Sequence, residues 1–487
     1  MADILFDRPR RVAMGLHSFL GPAFRHGGWL AVFLVLAPII GPRGYGLFIL
    51  ALGGIAIVEG LLAESTVQAL LRLERADERH WSTALVTLIA GGGAIWLALR
   101  AGAPLLDLLV GEPGFADLFR SLAVLPLLGG LGVVPIAILR RGGREGAIAA
   151  ANVGGFAAGA GIALWLAWAG AGAWSLVAQI IAQRLVACVI LWTAPEERIG
   201  LIWSPRHFTE IAEGLDAQAL AAVWPVVTRC APCLVAGLAL GPVAAGLYVL
   251  SARLAEAVAD IALAGEEEAT PHAMMRRACR VLLPAVLASG LLAIALPPLI
   301  DLQWWGAVPP AQVLLLGTIP SAIIFVCRRS AAGGATVAIW STVEALGGVA
   351  VAALLAHDGL VAMAAGSLAW LSAIAAVELW RMRCHFASQG RDLLHSLFRP
   401  VVGAALAGLF LWFTAAPVGL ELAAIPALSL LVASAWLCYL FVRDAPGGET
   451  ARTDPEIRRL SGSRTVGEMP GRTGRLLAQS RIESGRF

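Results

Sequence analysis

Long apolar runs recur along almost the whole chain, each broken by a short cluster of Gly, Pro and charge. The runs are continuous and rich in Ala, Leu and Gly, without the period of two that marks the strands of a membrane barrel. A helix that crosses a bilayer takes about 20 mainly apolar residues. With Gly, Pro and charge as punctuation, the pattern predicts about fourteen spans, near 17–40, 47–70, 82–99, 117–139, 146–169, 173–193, 208–239, 242–263, 281–299, 311–327, 332–355, 359–380, 399–416 and 422–442. The seventh is longer than a bilayer requires and reads as starting with an interfacial helix around Pro205 to Asp216. The fold class is therefore an all-α polytopic membrane protein.

Composition sharpens this reading. Hydrophobic residues make up 59% of the 487 and charged residues 14%, against roughly 25% charge in a soluble domain. That excludes a soluble enzyme, a nucleic-acid-binding module and a disordered protein. The net charge of +3 names no partner. All 36 basic residues are Arg, and their placement is informative: 21 of them, from Arg8 to Arg443, fall in alternate inter-span segments, while the other segments hold only Arg43 and Arg100. The positive-inside rule then puts both termini in the cytoplasm. The first apolar stretch reads as a retained span rather than a cleaved signal peptide. The loops are short, with no room for a soluble catalytic domain, so no enzyme activity is assigned. Residues 444–487 read as a disordered cytoplasmic tail. Trp304 and Trp305 fall at the predicted outer interface, where Trp commonly anchors. The seven Cys give no disulfide framework. Cys230-Ala-Pro-Cys233 has the spacing of a redox pair but sits inside an apolar helix, where small packing residues are the simpler reading.

An internal repeat organises the spans. Gly41-Pro42-Arg43-Gly44-Tyr45-Gly46-Leu47 aligns with Gly241-Pro242-Val243-Ala244-Ala245-Gly246-Leu247, and Leu127-Leu128-Gly129 with Arg140-Arg141 aligns with Leu315-Leu316-Gly317 with Arg328-Arg329. Each pair falls at equivalent topological places. The expected organisation is an N-lobe of spans 1–6 (1–200), a C-lobe of spans 7–12 (201–390), two additional spans (391–443) and the tail (444–487). Parallel repeats of this kind build transporters whose halves rock around a central cavity.

Ionisable groups at membrane depth are costly and by default mark a pathway or site. Arg25 and His26 lie in span 1, Arg184 in span 6, Arg229 in span 7 and Arg253 in span 8. Arg253 lies about 11 residues into its span, and at about 1.5 Å per residue that is close to the midplane. Arg253, Glu256 and Asp260 share one helical face. Glu59 is deep in span 2, and Glu64 lies nearer its inner end. Arg25, His26, Arg184, Arg229 and Arg253 are the candidate lining of a cavity suited to phosphate, which guanidinium forks grip in a bidentate manner. Glu59, Glu64, Glu256 and Asp260 are candidate coupling or ion-pair acids, and a satisfied Arg253–Glu256 pair is the alternative. No metal-ligating set and no cofactor are assigned beyond coupling to H+ or Na+.

Several short motifs, in order, resemble the polysaccharide repeat-unit flippases, the polysaccharide-transport branch of the MOP exporter superfamily. They are Gly41-Pro42-Arg43-Gly44-Tyr45-Gly46-Leu47 after span 1, Pro135 with Arg140-Arg141 ending span 4, Gly172-Ala173-Trp174-Ser175-Leu176-Val177 opening span 6, Ser204-Pro205-Arg206-His207-Phe208 before span 7, and Gly246-Leu247-Tyr248 with Ala252-Arg253-Leu254 in span 8. The chain departs from the pattern at Ala63-Glu64-Ser65-Thr66 and at Glu266 to Glu268 with Pro271. The resemblance implies two six-helix lobes plus two C-terminal helices in the bacterial inner membrane. It implies export of undecaprenyl-pyrophosphate-linked oligosaccharides for exopolysaccharide, capsule or O-antigen synthesis, by alternating access. Arg25 and Arg253 are placed like the cavity Arg residues of the related lipid-II flippases. The implied partners are the polyprenyl-pyrophosphate-linked glycan, the bilayer and the polymerase and chain-length machinery, with no nucleic acid. A cation-coupled multidrug exporter of the same superfamily is the rival reading; from another class, a non-transporting scaffold or a polymerase of polysaccharide synthesis.

Overall fold

The computed structural model describes residues 3–195, 199–216, 219, 221–263, 301–330 and 334–381, with side chains before Gly28 and at 260–263 left out. The spans expected at 281–299, 399–416 and 422–442, the Glu266–Glu268 run and the tail lie outside the described residues. Every other predicted span is helical. Among the described residues there is no strand, and nine helical stretches are long and apolar enough to cross a membrane.

In chain order the helices are α1 (Asp3–Arg72), α2 (Glu78–Val110), α3 (Phe115–Leu122), α4 (Leu125–Arg141), α5 (Glu145–Trp168), α6 (Trp174–Thr193), α7 (Pro205–Glu213), α8 (Trp224–Leu240), α9 (Pro242–Leu263), α10 (Val308–Leu316), α11 (Thr318–Ser330), α12 (Gly334–Leu355) and α13 (Leu360–Arg381). A 3-10 turn, Leu302–Ala307, precedes α10. α1 carries the first two predicted spans, joined where Gly41 adopts φ 70°, ψ 168° and interrupts the helix. The expected interfacial start of the seventh span is the separate short helix α7, with α8 carrying the apolar part. α2 runs past Arg100 to Val110, farther than its apolar run indicates, and ends on left-handed Gly111. Arg43 and Glu112 pair at 2.5 Å, tying the bend of α1 to the loop after α2.

Packing divides the described helices into two groups. α1 packs on α4 and α5, α2 on α3 and α4, and α6 on α4 and α5. In the second group α8 packs on α9 and α12, α9 on α10 and α11, and α13 on α10, α11 and α12. α1 joins the groups through α8 and α9. Many large side chains point outward, among them Leu97, Leu105, Leu108, Trp165, Trp168, Leu354 and Trp380. In water such a surface would be prohibitive; in lipid it is the expected outer face.

The sequence repeat has a structural counterpart. Gly241 adopts φ 92°, ψ 172°, matching the break at Gly41. Five residues later the backbones of α1 and α9 touch reciprocally: a Cβ on Gly46 would lie 1.6 Å from the Pro242 carbonyl oxygen, and one on Gly246 would lie 2.0 Å from that of Pro42. Neither position can hold a side chain in this packing. Beside this contact, Phe33, Tyr45 and Trp304 form an aromatic cluster, with ring centroids 4.9–5.7 Å apart. Trp304 is fully buried there, so it is a core residue and not the interfacial anchor its position suggested. Trp305 is partly exposed.

Candidate charged sites at membrane depth

Two clusters of the predicted ionisable residues form. The first joins α1, α4 and α6. Glu59 on α1 is buried, and its carboxylate lies 3.1 Å from Arg184 Nη2 on α6. Gly129 on α4 makes room for it, because a Cβ there would sit 2.5 Å from Glu59 Oε1. Glu59, Glu64, Gly129, Arg140, Arg184 and Val226 are among the residues lining a cavity of about 200 Å³. Arg184, which need not have faced inward by its place in span 6, therefore shares a polar pocket with Glu59 and Glu64.

The second cluster joins α8 and α9. Arg229 Nε lies 3.2 Å from Glu256 Oε1, and Arg253 Nη1 lies 3.0 Å from Glu256 Oε2. The Arg253–Glu256 pair spans one helical turn, as the shared face predicted. The approach of Arg229 from a neighbouring helix changes the balance: two guanidinium groups share one carboxylate. Both Arg side chains remain partly exposed. Val226 of the first cavity lies three residues before Arg229, so α8 connects the two clusters. Cys230 and Cys233, on this same helix, are both free thiols. The side chains of Arg25, His26 and Asp260 lie outside the described residues.

A third network forms on Glu344 and Glu378, two acids the sequence places within spans 11 and 12 without indicating their partner. Arg328 at the end of α11 lies 2.5 Å from Glu344 of α12 and 3.4 Å from Glu378 of α13, and Arg381 lies 3.0 Å from Glu378. Arg328 also donates to Ser341 Oγ and to the Trp340 carbonyl oxygen, at 3.2 Å each. Arg140 and Arg328 both count as loop charges when orientation is read from the sequence, yet both reach inward from span ends. Their repeat-related positions were the available signal.

These features define a polytopic helical membrane protein with charged clusters between its helices. Its fold is shared by solved structures of low sequence identity. An inward-facing multidrug resistance MATE family transporter aligns with a TM-score of 0.58 at 14% identity, over 75% of this chain and 96% of its own. The lipid II flippase MurJ, in an inward closed conformation, aligns with a TM-score of 0.60 at 11% identity, over 85% and 98%. At the sequence level, residues 35–263 match the family described as polysaccharide biosynthesis protein. The succinoglycan biosynthesis transport protein ExoT of Rhizobium meliloti (strain 1021) is 25% identical over 414 residues, covering 78% of this chain and 81% of that protein. The family match and the relative agree with the resemblance read from the sequence motifs, and the solved structures share the fold.

Proposed function

We propose that the protein is a flippase that carries undecaprenyl-pyrophosphate-linked oligosaccharide repeat units from the cytoplasmic to the outer leaflet of a bacterial inner membrane, for exopolysaccharide, capsule or O-antigen synthesis. The observation that carries this reading is the pairing of Arg229 and Arg253 on the single carboxylate of Glu256. Two guanidinium forks with one anion between them keep capacity for a second anion, and planar forks suit the oxygens of a pyrophosphate. In the transport cycle the headgroup displaces Glu256 from one or both Arg residues, and Glu256 reclaims them on release. Arg184 and the cavity beside Glu59 and Glu64 would receive the neighbouring polar part of the substrate, while the polyprenyl tail stays in lipid. Arg25 and His26 are the sequence's further cationic candidates for this path, and the two helix groups rock to expose the site to one face at a time. Protonation of Glu59, or ion binding there, would couple the cycle to a gradient. The orientation follows from the Arg distribution, with both termini cytoplasmic. The ExoT likeness, the family match and the MurJ-like fold support a transporter rather than an enzyme.

The test is Arg253→Ala in the native host. The expected outcome is loss of polymer export and accumulation of lipid-linked repeat units on the cytoplasmic side, with normal protein level in the membrane. Arg253→Lys retains charge but loses the fork and recovers only part of the export. Normal export by Arg253→Ala would overturn the site assignment.

A further inference from the structure

A cluster outside the membrane-depth sites joins the junction of α1 and α2 to α7. Asp77 caps α2, its Oδ1 accepting from the backbone N–H groups of Arg79 and His80 at 3.0 Å each. His80, one turn into the helix and buried, lies with Nδ1 2.7 Å from Asp77 Oδ1 and Nε2 2.7 Å from Glu210 Oε2. His207 on α7 lies with Nδ1 2.9 Å from Ser204 Oγ and Nε2 3.8 Å from Asp77 Oδ2. The two rings meet edge to face at 4.5 Å. One ligand-capable atom from each of Asp77, His80 and His207 lies within 4.8 Å of the others.

Glu210 lies within hydrogen-bond distance of His80 Nε2, and Ser204 Oγ of His207 Nδ1. His80 Nδ1 and His207 Nε2 both face the Asp77 carboxylate, so nitrogen and oxygen ligand atoms converge on one point between α2 and α7. A ligating His whose second nitrogen is held by a carboxylate or hydroxyl is the usual outer-shell arrangement of a metal site.

We propose that Asp77, His80 and His207 bind a divalent transition-metal ion of the zinc class, with Glu210 and Ser204 orienting the two imidazoles. Two imidazoles and one carboxylate form a donor set suited to zinc, with a fourth position left for water on the exposed side of Asp77. The ion ties together segments 127 to 130 residues apart in sequence, and so fixes α7 against the start of α2. Without the ion, the backbone N–H of Asp77, 3.3 Å from His80 Nδ1, closes a capping box on the same ring. The helix start is therefore preserved whether or not the ion is bound. The proposal does not depend on what the protein transports.

The test uses the full chain, purified in nanodiscs, stripped with chelator and titrated with Zn2+ by calorimetry and with Co2+ by visible absorption. The expected result is one tight equivalent of Zn2+ and the d–d bands of Co2+ in a nitrogen–oxygen site. Asp77→Asn keeps a good helix cap but removes the anionic ligand, and His207→Ala removes the imidazole contributed by α7. Each weakens Zn2+ binding at least about tenfold, measured at a temperature where the metal-free variant is folded. Equal Zn2+ binding by wild type and both variants, or proton uptake with no metal bound, overturns the proposal.

Discussion

At the scale of single residues, Glu59 shows how tightly the buried charge is built in. Its carboxylate can meet Arg184 only because Gly129 has no side chain: a methyl there would stand 2.5 Å from Glu59 Oε1. Gly129→Ala therefore pushes the carboxylate away from Arg184, at a cost of about 1–3 kcal/mol from overpacking and a disturbed pair. Thermal unfolding in detergent reads the loss, and export in the host falls with it. The double variant Glu59→Ala/Gly129→Ala isolates the cause, because once Glu59 is truncated the added methyl meets no carboxylate. The two changes should be non-additive by at least about 0.5 kcal/mol, as expected of groups in direct contact. Additive losses would mean that Gly129 matters for some other reason. The sequence already placed Glu59 and Arg184 at depth. It did not indicate that they face each other, because helical spacing reports the face of one helix and says nothing of which neighbour meets it.

At the scale of elements, the helices were legible and their ends less so. Apolar length and Gly-Pro punctuation locate every described span, since lipid demands a satisfied backbone and therefore helix. The ends are harder to place because a long Arg stem lets charge and apolar surface occupy the same turn. Arg140 and Arg328 close their spans in the sequence, but one lines the cavity beside Glu59 and the other holds α11 to α12 and α13. Trp304 misleads in the opposite sense: an aromatic at a span boundary ordinarily anchors in the interface, and here the chain turns it into the core. The Arg328 network yields a ranking. Removing Arg328 leaves Glu344 without this partner and Glu378 with only Arg381, so Arg328→Met costs about 3–5 kcal/mol, the usual penalty for breaking a buried pair. Arg381→Met leaves Arg328 on both carboxylates and costs about 1 kcal/mol or less. A lower melting temperature for Arg381→Met than for Arg328→Met would show that the second pair, not the first, holds these helices together.

At the scale of the whole molecule, the repeated Gly-Pro breaks bring α1 and α9 into reciprocal backbone contact. Gly46 and Gly246 each meet the backbone carbonyl of the opposite repeat, and a carbonyl in a helix cannot swing away as a side-chain tip can. Beside them Trp304 buries its indole against Phe33 and Tyr45, and its Nε1–H has no hydrogen-bond partner among the described residues. An unsatisfied buried donor costs about 1–3 kcal/mol, a cost that hydration removes when this end opens. This arrangement combines a close backbone contact with a buried group that favours release, as the proposed rocking cycle would require of this end. Gly246→Ala places its methyl 2.0 Å from the Pro42 oxygen, so α1 and α9 must separate and the balance moves toward opening. The readout is a thiol at the buried Ala307 position, introduced as Ala307→Cys with the native Cys replaced, and labelled by a membrane-impermeant maleimide added on the side that the Arg distribution predicts to be outside. Labelling should be fast with Gly246→Ala and slow without it, while export falls because the carrier no longer closes this end. Unchanged labelling with normal export would mean that the two repeats do not part here, and the motion would then have to be sought at another contact between the helix groups.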